Sequence, residues 1–78
     1  MNGKYRLCDM KPGLRAKVVA VSEESPIQRR LRDLGLIKGT VVECLMKSPL
    51  GDPTAYLVRS SVIALRYEDS KFVYVEVV

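Results

Sequence analysis

The stretch Ser25–Thr40, which reads SPIQRRLRDLGLIKGT, contains the signals that decide how this chain folds. Ser25 is a favoured N-cap residue, Pro26 suits the first helical position, and Gln28 completes a Ser-x-x-Gln capping box. Gly35 can adopt the left-handed conformation with which such a helix ends. The stretch therefore predicts one helix of about ten residues with both of its ends specified locally.

The apolar residues of this stretch indicate how the helix packs. Ile27, Leu31 and Leu34 recur at helical spacing and form one apolar stripe. Leu36, the residue after Gly35, can fold back on Leu31 as the apolar contact of a Schellman ending. The opposite face is predicted to expose a charged cluster formed by Arg29, Arg30, Arg32 and Asp33.

Alternating segments on both sides of the helix predict a mainly β protein. Proline and glycine separate these segments, as in Pro12-Gly13 and in the loop Pro49–Pro53. The predicted strands are Arg15–Ser22, Thr40–Ser48, Thr54–Arg59, Val62–Arg66 and Phe72–Val78, with one helical turn over Tyr67–Lys71. Alternation places Ala16, Val18 and Ala20 on one face of the first strand and assigns Val42, Cys44 and Met46 of the second strand to the core. Leu7 and Met10 are predicted to lie in the core as well.

Length and composition limit the architecture. We expect residues 1–78 to form a single domain, because 78 residues leave no room for a second core. With 47% hydrophobic and 28% charged residues, the composition is that of a soluble globular protein. About five short strands with one helix after the first strand are best closed into a small barrel, which removes exposed strand edges.

Charge and hydrophobicity bound the location and the partners. The net charge of the chain is +4, and it is unevenly distributed: residues 1–38 carry +5 and residues 39–78 carry −1. The basic N-terminal half indicates either an anionic partner or simply a soluble surface. No apolar run approaches the ~20 residues that span a bilayer, and residues 1–10 lack the apolar core of a signal peptide. We therefore expect the protein to be cytoplasmic.

Catalytic and metal-binding chemistry find little support in the sequence. The chain has no histidine, which excludes Ser-His and Cys-His nucleophile pairs, and no glycine-rich phosphate loop. Cys8 and Cys44 lack the CxxC or histidine companions of typical metal sites, although metal carriage through either one stays open. We expect no enzyme activity, no bound metal and no cofactor.

Two surfaces are candidates for binding a partner. The first is the helix face with Arg29, Arg30 and Arg32, which a solvated surface, a protein partner or nucleic acid would explain. Nucleic acid is the less favoured partner, because small barrels that bind it usually expose aromatic side chains and none lies in this cluster. The second is Leu50 at the tip of a proline-stiffened loop, which loses little entropy on docking.

Two sequence blocks in fixed order carry a family resemblance. Arg30-Leu31-x-Asp33-Leu34-Gly35-Leu36 precedes Gly39-Thr40, and Ser48-Pro49-Leu50-Gly51-Asp52-Pro53 follows. With Pro12-Gly13, Ile63-Ala64-Leu65-Arg66 and the last valine-rich strand, the chain resembles the FeoA family from about Leu7 to Val77. The resemblance implies an SH3-like barrel and a non-catalytic accessory role in bacterial ferrous iron uptake, beside the membrane transporter FeoB with its cytosolic GTPase domain. It also implies a place at the inner face of the membrane through that partner.

The resemblance narrows the predicted partner surface. Arg30 and Arg66 occupy positions that need no cation for folding, although either could pair with an acid such as Asp33 or Asp52. Weak self-association also stays open. The residues predicted to contact the partner are Arg29, Arg30, Arg32, Leu36, Pro49, Leu50, Gly51, Asp52, Pro53 and Arg66.

Overall fold

The computed structural model describes residues 4–78. These residues form one six-stranded sheet in which every pairing is antiparallel, together with two short helices. The strands are β1 (Lys4–Arg6), β2 (Arg15–Val21), β3 (Val41–Lys47), β4 (Thr54–Val58), β5 (Ser61–Leu65) and β6 (Val73–Val77). The helices are α1 (Gln28–Asp33) and α2 (Tyr67–Ser70), and a 3₁₀ turn spans Leu7–Asp9.

The strand order is β1-β6-β2-β3-β4-β5. The mainly β prediction and its five strands are confirmed to within two residues at each end, and β1 is an additional strand that the sequence analysis missed. β1 is only three residues long and pairs with the distant strand β6, so its own sequence shows no alternating pattern that would predict a strand. The barrel is partly open, because within residues 4–78 the outer strands β1 and β5 do not pair with each other.

Two irregularities in strand pairing change the predicted orientation of two side chains. The pairing of β2 with β6 shifts between Val18 and Ala20, and that of β3 with β4 shifts between Cys44 and Met46. An extra residue in one strand changes which face the following side chains occupy. Ala20 is therefore exposed while Ala16 and Val18 are buried, so the prediction that the three share one face was wrong. Met46 is 63% exposed, so its assignment to the core was wrong as well.

The core lies between α1, the 3₁₀ turn and the inner face of the sheet. Leu7 and Met10 are buried as predicted, and so is Cys44 on β3. Tyr56 lies among them, and its hydroxyl donates a hydrogen bond to the Leu7 carbonyl oxygen at 3.3 Å. The full set of buried apolar residues is Leu7, Met10, Ala16, Val18, Leu31, Leu36, Val42, Cys44, Tyr56, Val58, Leu65, Val73 and Val75.

The start of α1 differs from the predicted capping box. The helix begins at Gln28, with Ile27 at the N-cap position, and is therefore six residues long. The Ser25 hydroxyl accepts a hydrogen bond from the Ile27 N–H at 3.2 Å, in the turn before the helix. The Gln28 side chain donates to the Val21 carbonyl at 3.2 Å, which connects the helix start to the end of β2. The polar groups of the box are thus used for a turn and for a tertiary contact.

The end of α1 is the predicted Schellman motif. The Leu36 N–H donates to the Leu31 carbonyl at 3.1 Å, and the Gly35 N–H donates to the Arg32 carbonyl at 2.9 Å. Gly35 has a φ of +104°, and both leucines are fully buried. A Cβ atom on Gly35 would lie 3.0 Å from Cδ of Arg59, the residue that begins the turn between β4 and β5. The end of the helix therefore lies close to that turn, with no room for a side chain at position 35.

Candidate functional site

A groove separates α1 from β5 and has a volume of about 470 Å³, within the ~300–1,000 Å³ typical of pockets for small ligands. One wall is formed by α1 and its caps, and the other by the end of β5 and the start of α2. We call this feature the α1–β5 groove. Its lining residues are Ile27, Arg30, Leu34, Ile63, Ala64, Leu65, Arg66 and Asp69.

The two arginines of the family motif meet in this groove. Arg30 approaches it from the middle of α1, and Arg66 from the residue that precedes α2. Within residues 4–78 neither arginine forms an ion pair, so pairing of either with Asp33 or Asp52 was wrong. Asp69 is the single acid of the lining, which therefore carries a net positive charge.

The tip of the β3–β4 hairpin presents an apolar side chain to solvent. Leu50 is 94% exposed, the largest value among the exposed apolar residues of the described chain. The Gly51 N–H donates to the Ser48 carbonyl at 2.7 Å, and the Ser48 N–H donates to the Pro53 carbonyl at 3.1 Å. The loop is therefore closed by its own backbone hydrogen bonds and holds Leu50 outward.

Asp52 joins this loop to the groove. Its carboxylate accepts a hydrogen bond of 2.7 Å from the N–H of Tyr67, the first residue of α2. Helix N-termini have unsatisfied N–H groups, so this contact stabilises both the helix start and the loop. Because Arg66 directly precedes Tyr67, the loop and the arginine end of the groove lie side by side.

The other residues predicted to contact the partner lie on the exposed face of α1, in the core or in the loop beside Leu50. Arg29 and Arg32 are exposed on α1 but do not line the groove. Leu36 is fully buried, so its placement on the contact surface was wrong: it is the apolar contact of the Schellman ending and belongs to the core. Pro49 and Gly51 are exposed beside Leu50, and Pro53 is half-buried.

The sequence analysis missed most of the groove. Ile27 lies at the start of α1, whereas Ile63, Ala64 and Asp69 lie on β5 and α2, more than thirty residues later in the chain. Ile63-Ala64 was noted as part of the family motif, without a role. A contiguous motif cannot show which distant segment it faces, and this information lies in the packing of α1 against the sheet.

Cys8 and Cys44 are both free thiols, the first half-buried and the second buried. In the part of the chain that the structure describes, no group of three or more cysteine, aspartate or glutamate side chains is arranged to hold a metal ion. Cys44 is buried, with its Sγ 3.8 Å from the Met10 carbonyl oxygen, and burial raises the pKa of its thiol. Burial and the neighbouring Asp9 raise the pKa of Cys8, so the thiol form of both is favoured at neutral pH.

These features define the class of protein: a small SH3-like barrel with an arginine-lined groove between α1 and β5 and a neighbouring loop that exposes Leu50. The model of the FeoA domain matches residues 5–77, and the chain belongs to this family. The SH3-like architecture agrees with the crystal structure of Stenotrophomonas maltophilia FeoA complexed with zinc, which is described as a prokaryotic SH3 domain protein. That chain is 32% identical, with a TM-score of 0.80 over 91% of this chain and 88% of that one.

Two further relatives place the chain in context. The NMR structure of a FeoA-like protein from Clostridium acetobutylicum is 31% identical and superimposes with a TM-score of 0.91 over 100% of this chain and 91% of that one. A fusion of Fe(2+) transport protein A with the Fe(2+) transporter FeoB from Porphyromonas gingivalis (strain ATCC BAA-308 / W83) is 27% identical over 73 residues. This match covers 94% of the chain but 9% of the fusion protein. Among the described residues, no helix is long and apolar enough to cross a membrane.

Proposed function

We propose that this chain is a non-catalytic accessory protein of bacterial ferrous iron uptake that docks on the cytosolic, GTPase-bearing part of a FeoB-type transporter. The observation that carries the proposal is the adjacency of the α1–β5 groove and the Leu50 loop, which Asp52 joins through Tyr67. The fused relative supports the choice of partner, since joining two proteins in one chain keeps them at high effective concentration.

The surface combines the two kinds of contact that a protein partner needs. Leu50 supplies an apolar anchor on a loop that is already ordered, so that docking costs little conformational entropy. Arg30 and Arg66 supply charged groups that select an acidic partner surface and accelerate its association. We place the main contact on these three residues, with Arg29 and Arg32 at its rim.

Regulation of a GTPase-bearing partner requires unequal binding to its states. An accessory protein that bound the GDP and GTP forms equally well would shift no equilibrium, however tight the complex. The proposed role therefore predicts that the affinity for the transporter domain depends on the bound nucleotide.

The test is an NMR titration of the isotopically labelled chain with the GTPase domain of the cognate transporter, once with GDP and once with a GTP analogue. We expect shifts at Arg30, Leu50 and Arg66 that differ between the nucleotides. Leu50→Ser should weaken binding about tenfold, because it removes an anchor side chain. Val78→Ser is the matched control, since Val78 is also an exposed apolar residue but lies outside the groove and the loop.

Three outcomes would contradict the proposal. Absence of shifts with either nucleotide at millimolar domain would exclude this domain as the docking partner. Equal binding of both forms would remove the regulatory role. Equal effects of Leu50→Ser and Val78→Ser would show that the loop is not the anchor.

A further inference from the structure

The outer edge of β5 presents backbone groups that no neighbouring strand satisfies. Within residues 4–78, β5 is the last strand of the sheet and pairs with β4 alone. Their hairpin has the two-residue turn Arg59-Ser60, whose φ angles of +50° and +69° match a type I′ turn. In such a hairpin the residues that flank the turn, Val58 and Ser61, form a hydrogen-bonded pair.

The alternation of the ladder then identifies the free groups. Residues 61, 63 and 65 direct their N–H and C=O groups toward β4, because hydrogen-bonded pairs alternate along an antiparallel ladder. Val62 and Ala64 direct theirs outward. Two N–H donors and two C=O acceptors thus line this edge.

The edge also lacks the features that usually prevent strand pairing. Ser61–Leu65 contains no charged residue and no proline, and Val62 is 64% exposed. Proteins normally protect an exposed edge with lysine, proline or a covering segment. An unprotected edge next to a groove is the arrangement of domains that bind a peptide as an additional strand.

The groove lies where the side chains of an added strand would point. Ala64 belongs both to the free edge and to the lining of the α1–β5 groove. Ile27, Leu34 and Ile63 are partly buried residues of the same lining and offer an apolar floor. Alternate side chains of an extended segment hydrogen-bonded to β5 would therefore enter the groove.

The charges select the occupant. Arg30 and Arg66 line the groove without an ion pair in the described chain, and Asp69 is the one acid that opposes them. An acidic segment satisfies these cations. A second copy of the chain is disfavoured, because antiparallel pairing of two β5 strands would bring Arg66 of each copy close to Arg59 of the other.

From this geometry we infer that β5 binds an extended, acid-bearing peptide segment of a partner protein as a seventh strand, with its acid held by Arg30 and Arg66. The inference rests on the proposed function in one respect: both place a partner protein in the α1–β5 groove, and the inference adds that the bound part is an extended, acid-bearing segment. It does not require that the segment come from the GTPase domain, so each idea can fail without the other.

The probe is a short synthetic peptide of alternating valine and threonine with two glutamates at one end. We expect the peptide to slow hydrogen exchange of the Val62 and Ala64 amides on the order of tenfold at saturation, because strand addition engages both groups. The Ile63 amide, which already bonds β4, should change little. The matched peptide, N-methylated at the amides that would face β5, retains the side chains but should not bind.

Variants of the arginines test the charge requirement. Arg30→Gln and Arg66→Gln should each weaken the acidic peptide about three- to tenfold, since each removes one charge-assisted contact. Arg15→Gln is the matched control, because Arg15 is an exposed arginine on β2 that lies outside the groove, the loop and the proposed contact surface. It should leave the affinity unchanged, and a peptide with lysines in place of the glutamates should bind more weakly than the acidic one.

Several results would overturn the inference. Binding that leaves the Val62 and Ala64 amides unprotected, or that survives N-methylation, would show side-chain docking without strand addition. Protection of both amides in a dimer without peptide would assign the edge to a second copy. Failure of the peptide while the GTPase domain still binds would reject strand addition and retain the proposed function, and the reverse result would retain strand addition alone.

Discussion

β1 and β5 form the two ends of the same sheet, and among residues 4–78 each has a single neighbouring strand. β1 is three residues long and carries Lys4 and Arg6, whereas β5 is five residues long and carries no charge. The cations of β1 lie on the edge itself, where they oppose pairing with another chain. The cations near β5 lie beside the edge, on α1 and before α2, where they leave it accessible and favour an acidic segment.

The arginines at the two edges are also used differently. Arg6 forms an ion pair with Asp9 at 3.3 Å, and its guanidinium lies 5.9 Å from the ring centroid of Tyr67. Arg30 and Arg66 form no ion pair within residues 4–78. The comparison separates cations that serve the fold from cations available to a partner, and it can be tested at both edges.

The largest expected effect on stability follows from adding a side chain at Gly35, where the end of α1 lies against the β4–β5 turn. Gly35→Ala forces a side chain into a positive φ and brings its Cβ within 3.2 Å of the buried Val58 side chain. We expect a loss of about 2–4 kcal/mol in the free energy of unfolding, measured in urea. Gly13→Ala is the control, because Gly13 has a similar φ of +91° with nothing within 4 Å of an added Cβ. Equal losses would show that the close contact carries no cost.

The buried Tyr56 hydroxyl, which donates to the Leu7 carbonyl, predicts that the protein becomes less stable in alkali. Burial raises the pKa of Tyr56 to about 12, above its ordinary value of 10.0. As the pH rises, the unfolded chain loses the Tyr56 proton before the folded chain does. The protonated hydroxyl therefore contributes its full share of the free energy of unfolding below pH 10, and this share of about 2–3 kcal/mol is lost as the pH rises through 12. Chemical denaturation from pH 9 to 12 measures it.

Tyr56→Phe should flatten this pH dependence. The substitution removes the ionisable group and the hydrogen bond to Leu7, which costs about 0.5–1.5 kcal/mol at neutral pH. A residual slope is expected from Cys44, whose pKa burial also raises. An unchanged slope would show that the Tyr56 hydroxyl reaches water when it ionises.

A smaller effect should distinguish the arginines of the two edges. Arg6→Gln removes an exposed ion pair and a ring contact, and should cost about 0.5 kcal/mol, less at high salt. Arg30→Gln should leave the stability unchanged and weaken partner binding instead. Thermal unfolding at low and high salt compares the two variants, and a larger stability loss for Arg30→Gln would contradict the distinction.

The smallest effect on stability is expected from a charge placed on the β5 edge. Val62→Lys should change the free energy of unfolding by less than about 0.5 kcal/mol, because Val62 is 64% exposed. It should nevertheless reduce aggregation during refolding, since it protects the free edge. Val78→Lys adds the same charge at another exposed valine, and equal protection by both variants would assign the effect to net charge.

Local patterns accounted for much of the fold. Five of the six strands, the short helix and its Schellman ending were predicted, because alternation, turn residues and the glycine at the helix end act over a few neighbouring residues. The family motif also directed attention to Arg30, Arg66 and the Pro49–Pro53 loop, which the structure brings to neighbouring positions.

Pairing between distant segments decided the rest. The outward turns of Ala20 and Met46 depend on where the strands slip against their partners, and the start of α1 depends on a hydrogen bond from Gln28 to β2. The sequence by itself thus determined which elements form and where most of them end. Only the tertiary structure decided which strands became edges and which residues meet Arg30 across the groove, because these contacts join segments more than thirty residues apart.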